Sequence, residues 1–204
     1  MEKETSRIEG FSDGVFAIAI TLLVLDLHAP ETSAIKNGTE LLRFLTEEWT
    51  TYLAFSLSFF SIFIMWVNHH KIFKQIYSRN TAIMFSNGFI LFLVTAVSYP
   101  TALLARFFDG EASGIAVAIY TGMFVLINFA YNLLWFVAAQ DKKLLRPGIT
   151  AVAIQKIRNN YLYGFPTYLI AFGLSFRFPA IALAINMLLL VFWAFSSGKI
   201  KMQE

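Results

Sequence analysis

The chain contains no cysteine, which excludes disulfide staples, thiol nucleophiles and thiolate metal sites. Charge is scarce as well: Asp, Glu, Lys and Arg make up 14% of the 204 residues, against about 25% in an ordinary soluble domain. Histidine appears only as His28, His69 and His70. There is no basic domain that could follow a phosphate backbone, so nucleic acid is not an expected partner. What fills the chain instead is apolar. Hydrophobic residues are 57% and aromatic residues 17%, with 22 phenylalanines, the composition of an integral membrane protein.

Long charge-free stretches locate the spans. They cover residues 49–70, 80–105, 112–140, 159–176 and 178–198, and a transmembrane helix needs roughly 20 apolar residues. The opening segment RIEGFSDGVFAIAITLLVLDL, residues 7–27, has a shorter uncharged run between Asp13 and Asp26. It supplies another span if those aspartates lie near its ends. The expectation is an all-α integral membrane protein, one domain over 1–204, with six transmembrane helices at about 10–28, 50–71, 80–105, 113–139, 159–176 and 178–198.

Loop charges orient it. With the N-terminus inside, twelve basic residues fall inside and four outside, which satisfies the positive-inside rule. Both termini are then cytoplasmic, in a multi-pass protein of the plasma membrane. A basic start before a short apolar run also resembles a signal peptide, whose removal leaves five spans in the same orientation. Glu9, Asp13 and the lack of a small-residue cleavage site argue against it.

Punctuation agrees with these bounds. Pro147-Gly148 separates spans four and five, Pro179 opens span six, and Pro100 and Pro166 predict kinks. The short Phe176-Arg177-Phe178 link makes spans five and six a hairpin. Leu41, Leu42 and Leu45 predict a short interfacial helix in the first external loop. Asn37-Gly38-Thr39 matches the glycosylation sequon, a pattern common by chance.

On the first span, Ile18, Leu22 and Leu25 share a face by helical spacing, while Gly14, Ala17, Ala19 and Thr21 admit close neighbours. Taken alone, such a stripe is compatible with ordinary helix packing. Asp13 lies about 140° from Ile18, and an intramembrane aspartate needs a partner. The topology puts Ser12 and Asp13 at the depth of Trp66, Asn68, His69 and His70, with Arg7 near enough to join a network. The histidines alone also fit a headgroup boundary.

An enzyme would need a nucleophile–base pair or a metal centre. His28 lies at the opposite depth from His69 and His70, and His69 with Asp13 supplies only two ligands. No enzyme activity and no cofactor are expected. A secondary transporter for a small ion or solute is the alternative. It would use ionisable groups at mid-depth, where the chain has only Asn128, Asn132 and Asn186.

The first segment resembles the signature helix of the transmembrane protein 175 family, potassium channels of bacteria, archaea and animal lysosomes. Arg7, Phe11, Ser12 and Asp13 meet its R-x-x-x-F-S-D pattern. FIMWVNHHKIF (63–73) and SYPTALLA (98–105) resemble the second and third helices. The resemblance implies a potassium-selective channel in the lipid bilayer, with subunits around a central pore. One six-helix unit per chain implies a homotetramer. It further implies that Ile18, Leu22 and Leu25 form the pore constriction, and that Arg7, Phe11, Ser12, Asp13, Trp66, Asn68 and His69 hold the pore helix. No T-V-G-Y-G filter sequence is present, so a dewetting hydrophobic constriction is the gate that the residues allow.

Overall fold

A computed structural model of the chain describes residues 4–196. The remaining positions, including Lys3, Lys199 and Lys201 of the charge count and the end of the sixth expected span, lie outside the described residues. The described chain is helical. In order it forms α1 (Ser6–Leu22), α2 (Gly38–Glu47), α3 (Trp49–Phe73), α4 (Thr81–Ala96), α5 (Ser98–Phe107), α6 (Ser113–Gln140), α7 (Ala151–Ser175) and α8 (Pro179–Ser196), with short 3-10 turns between some of them. Among the described residues four stretches are long and apolar enough to cross a bilayer: Ser6–Asp26, Trp49–Phe73, Thr81–Phe107 and Ser113–Gln140.

The third stretch, 27 residues long, is interrupted only at Val97, whose backbone stays in the helical region at φ -61°, ψ -30°, as the kink expected at Pro100 requires. Pro100 has no N–H to give the Ala96 carbonyl, and its ring crowds that oxygen. The α-pattern therefore ends at Ala96. The Val97 N–H turns to the Val94 carbonyl at 3.3 Å, and α5 restarts with Thr101 N–H on the Val97 carbonyl at 3.1 Å. Pro166 behaves differently: α7 runs through it without a break. The fifth helix also begins earlier than the charge-free stretch did. It takes in Gln155, Lys156 and Arg158, since Thr150 caps the Ala153 N–H and no breaker follows.

The first loop does form a short helix, α2. Asn37 caps it by accepting from Glu40 N–H at 2.9 Å. Its leucines remain exposed.

Helix α6 is the centre of the bundle and packs on α4, α5, α7 and α8. Its buried face carries Tyr120, Phe124, Tyr131, Leu134 and Trp135. A stack of rings ties three helices together, Tyr131 on Tyr161 at 6.0 Å and Tyr161 on Trp193 at 5.4 Å. Gly164 makes this closeness possible, because a Cβ there would lie 2.7 Å from the Trp193 ring and 2.8 Å from the Asn128 amide. Polar groups between the helices find partners there, as the absence of water in a bilayer requires. Ser58 and Thr101 hydroxyls meet at 2.6 Å, and the Tyr131 hydroxyl donates to the Met65 carbonyl at 2.8 Å.

Two loops close one end of the bundle. The α3–α4 and α6–α7 connections pair through an antiparallel bridge between Ile76 and Leu145. Tyr77 N–H reaches the Leu144 carbonyl and Arg146 N–H reaches the Gln75 carbonyl, both at 2.8 Å. The Ser78 hydroxyl donates to the Glu4 carboxylate, which brings the start of α1 to the same end.

Candidate functional site: the first helix and its anchor

Helix α1 has two unlike faces. Ser12, Phe16, Ala19 and Leu23 are buried against the bundle, at helical spacing. The other face carries Phe11, Ile18, Leu22 and Leu25, which are 68%, 58%, 50% and 66% exposed. Among the described residues no helix covers that stripe. Gly14, Ala17 and Thr21 beside it are exposed too. The Thr21 hydroxyl turns back onto the Ile18 carbonyl at 2.9 Å and the Ala17 carbonyl at 3.1 Å, so its polarity is spent on its own helix.

The end of the helix refines the stripe. The α-form stops at Leu22 and a 3-10 turn runs from Leu23 to Asp26. Ile18 and Leu22 are four α-steps apart, about 6 Å along the axis. Leu22 and Leu25 are separated by three 3-10 steps, again about 6 Å, and in that geometry side chains at i and i+3 eclipse. The change of helix type sets Leu25 directly beyond Leu22 instead of rotating it back toward Ile18. Three aliphatic side chains thus line up over about 12 Å of axis.

The buried face is anchored by a relay across three helices. Ser12 on α1 donates its hydroxyl to the Ile8 carbonyl at 2.8 Å. It accepts from the Asn87 amide of α4 at 3.0 Å. The Asn87 oxygen sits 2.7 Å from His69 Nε2 of α3. An amide oxygen can only accept, so Nε2 carries the hydrogen. The His69 ring is itself held between Phe73, stacked at 4.5 Å, and Phe16 of α1 at 5.3 Å. Ser12, His69 and Asn87 are all buried.

A second link lies toward the surface. Trp66 Nε1–H donates to Asp13 Oδ1 at 2.8 Å. Asp13 is exposed in the single chain. Trp66 stacks on His70 at 6.3 Å and tilts against Phe63 at 5.8 Å. Arg7 is exposed on the first turn of α1. Asn68 turns to another side of α3: its amide donates to the Ile64 carbonyl at 2.9 Å. It lines a cavity of about 50 Å³ with Asn128, Tyr131, Tyr161 and Trp193.

Asn87 is therefore the bridge that sequence reasoning missed. Its signal was an amide alone in the apolar run IMFSNGFILF, which in a membrane helix marks an interhelical hydrogen bond. Asp13 and His69 bind different partners, and the described residues contain no group of three or more histidines or carboxylates that could hold a metal ion.

The Trp66–Asp13 bond needs an acceptor on α1, not a charge. Asp13→Asn keeps an acceptor oxygen and is expected to retain the wild-type melting temperature within about 2 °C, whereas Asp13→Ala loses it by more than that. Thermal melts of both purified variants check this; equal melting of Asp13→Ala and wild type would remove the link from the anchor.

Comparison with known proteins places this geometry. The family profile described as endosomal/lysosomal potassium channel TMEM175 matches residues 7–97, from Arg7 to the break before α5, and so contains the whole anchor. A potassium channel of Chamaesiphon minutus is 40% identical over 97% of this chain and 97% of its own. One of Streptomyces collinus is 37% identical over 98% and 97%. The crystal structure of a lysosomal potassium-selective channel TMEM175 homolog from Chamaesiphon minutus superimposes with a TM-score of 0.85, at 40% identity, covering 95% of this chain and 97% of that one. These relatives are ion channels, not enzymes. With four described stretches long and apolar enough to cross a bilayer and identity at this level along nearly its whole length, the chain is a multi-pass membrane protein and belongs to the TMEM175 family.

Proposed function

We propose that the protein is a potassium-selective channel of the plasma membrane, a homotetramer whose subunits each contribute α1 to a central pore. The observation that carries this reading is the uncovered aliphatic stripe of α1. Ile18, Leu22 and Leu25 are all at least half exposed, on a helix whose opposite face is tied to α3 and α4 by a buried polar relay. A helix facing lipid alone has no need for so much anchoring. A helix that must hold a narrow ring of side chains in register with its copies does. The potassium channels of Chamaesiphon minutus and Streptomyces collinus, similar over almost their full lengths, support the choice of ion.

In this reading α7 and α8 complete six spans and both termini face the cytoplasm, in accord with the basic residues gathered at the end of the bundle closed by the loop clasp. Four copies of the stripe make an apolar constriction. Water leaves such a constriction readily, which closes it to ions. When it widens, an ion passes only by shedding part of its hydration shell. Potassium holds its water more weakly than sodium, so the apolar ring favours potassium without a binding site for it.

The test is a flux assay on the full-length protein in liposomes. A potassium gradient is expected to dissipate faster than an equal sodium gradient, with no coupled solute. Sodium flux equal to potassium flux would defeat the selectivity assigned to the stripe, and saturable flux dependent on a second solute would make the protein a transporter.

A further inference from the structure

The loop clasp brings together basic residues that are far apart in sequence. The Ile76–Leu145 bridge and the Arg146–Gln75 hydrogen bond set the segment of Lys71, Lys74 and Arg79 against that of Lys142, Lys143 and Arg146. Countercharge there is thin. Glu4 is engaged by the Ser78 hydroxyl and the Arg79 backbone N–H, which hold its carboxyl below the usual range, and it also faces the Arg79 charge. Asp141 accepts from Lys143 N–H at 2.9 Å. The one side-chain ion pair between described residues, Arg43 with Glu47, is on α2.

Arg146 is held in an unusual way. It opens a four-residue turn in which Pro147 is second and Gly148, at φ +84°, third. The Ile149 N–H closes onto the Arg146 carbonyl at 3.2 Å, the pattern of a type II turn. With its backbone N–H on Gln75, the residue is fixed at both its amide and its carbonyl. Its side chain is not matched in the same way. Arg146 Nε is the buried side-chain nitrogen or oxygen that, among the described residues, has no hydrogen-bond partner. Buried donors are normally satisfied, so an acceptor that reaches this guanidinium meets an unused donor.

We propose that the clasp binds the phosphate headgroup of an anionic phospholipid. A guanidinium suits phosphate oxygens by both charge and geometry, and the exposed Lys142, Lys143 and Lys74 add attraction without being committed elsewhere in the fold. The first turn of α7 begins just beyond the turn and adds its dipole. The lipid source follows from depth: the clasp joins the ends of α3, α4, α6 and α7, where the apolar spans give way to polar residues. Val152, 78% exposed on the first turn of α7, offers an apolar surface beside it. Basic pockets between membrane helices at this depth take anionic headgroups.

Native mass spectrometry of the full-length protein, titrated with phosphatidylglycerol or phosphatidylcholine, tests it. The wild type is expected to bind phosphatidylglycerol at least roughly fivefold more tightly than phosphatidylcholine. Arg146→Lys, which keeps the charge and loses the Nε donor, is expected to weaken that preference about threefold or more. The double variant Lys142→Gln/Lys143→Gln, altered only at exposed side chains, is expected to weaken it roughly fivefold or more, and serves equally if the Arg146 variant does not fold. Wild-type preference in both variants, or no preference in the wild type, overturns the proposal. Inorganic phosphate alone raising the melting temperature as far as phosphatidylglycerol does would also overturn it, in favour of a soluble anion.

Discussion

Leu22→Asn is expected to admit sodium alongside potassium and to raise total flux in liposomes. Leu22 stands in the middle of the stripe, with Ile18 about 6 Å before it and Leu25 eclipsed about 6 Å beyond. In the proposed tetramer four copies of its side chain close the route at one level. Aliphatic groups give water nothing to bind, so the gap empties and ions meet a barrier. An amide at each of the four positions supplies donors and acceptors, keeps the gap wet and replaces hydration that an ion would otherwise lose. The advantage of potassium rests on that loss. Discrimination is expected to fall roughly tenfold, equivalent to ~1.4 kcal/mol between the two ions. Leu42→Asn makes the same chemical change on α2, at a side chain 63% exposed and off the stripe. It is expected to leave ion preference unaltered. If Leu22→Asn conducts with wild-type preference, the stripe is not the constriction. If Leu42→Asn shifts preference equally, the effect does not belong to α1.

The two faces of α1 divide the work. In the proposed tetramer one face is apolar and free, so that its side chains meet copies of themselves. The other is fixed, because the proposed constriction would be sensitive to small tilts of the helix that carries it. The polar relay from Ile8 through Ser12 and Asn87 to His69 does the fixing inside the apolar bundle, where an unmade bond is costly. The Trp66–Asp13 bond adds a second point of attachment on the exposed side.

Much of this was legible in the sequence because apolar length is an unambiguous signal. The spans Trp49–Phe73, Thr81–Phe107 and Ser113–Gln140 fall close to charge-free runs. Pro100 announced a disturbance in the third. The disturbance falls at Val97, beside the Ala96 carbonyl that the proline deprives of a donor. The fifth helix was read short because Lys156 and Arg158 looked like loop, although nothing there breaks a helix. At the site, the argument from depth set the Ser12–Asp13 pair beside the Trp66–His70 cluster. It could not choose among them, since adjacent helical residues point about 100° apart. His69 goes to α4 while its neighbour Asn68 lines the cavity with α6, α7 and α8. Asn87 has no motif around it, and only the packing of α4 against α1 reveals what it joins.

Asn87→Leu is expected to have the largest effect on stability outside the pore. Leucine matches asparagine in size and suits an apolar span, so composition alone predicts no harm. The loss is of partners. His69 Nε2–H would be left facing hydrocarbon, and the Ser12 hydroxyl would lose the donor it receives. A buried polar group so stranded costs about 1–3 kcal/mol. The purified variant is therefore expected to melt several degrees below wild type, roughly 2–12 °C for a chain of this size. The way that cost combines with a second change identifies its origin. His69→Leu removes the other end of the same bond, so the double variant Asn87→Leu/His69→Leu is expected to melt well above the sum of the two single losses, a coupling of about 0.5–3 kcal/mol. Ion preference supplies an independent reading. If the relay holds α1 in register, Asn87→Leu loosens the constriction and lowers discrimination between potassium and sodium even though residue 87 is buried behind α1 and remote from the stripe. Strictly additive losses would mean that Asn87 and His69 act separately. Reduced melting with unchanged ion preference would mean that the relay stabilises the bundle without setting the pore.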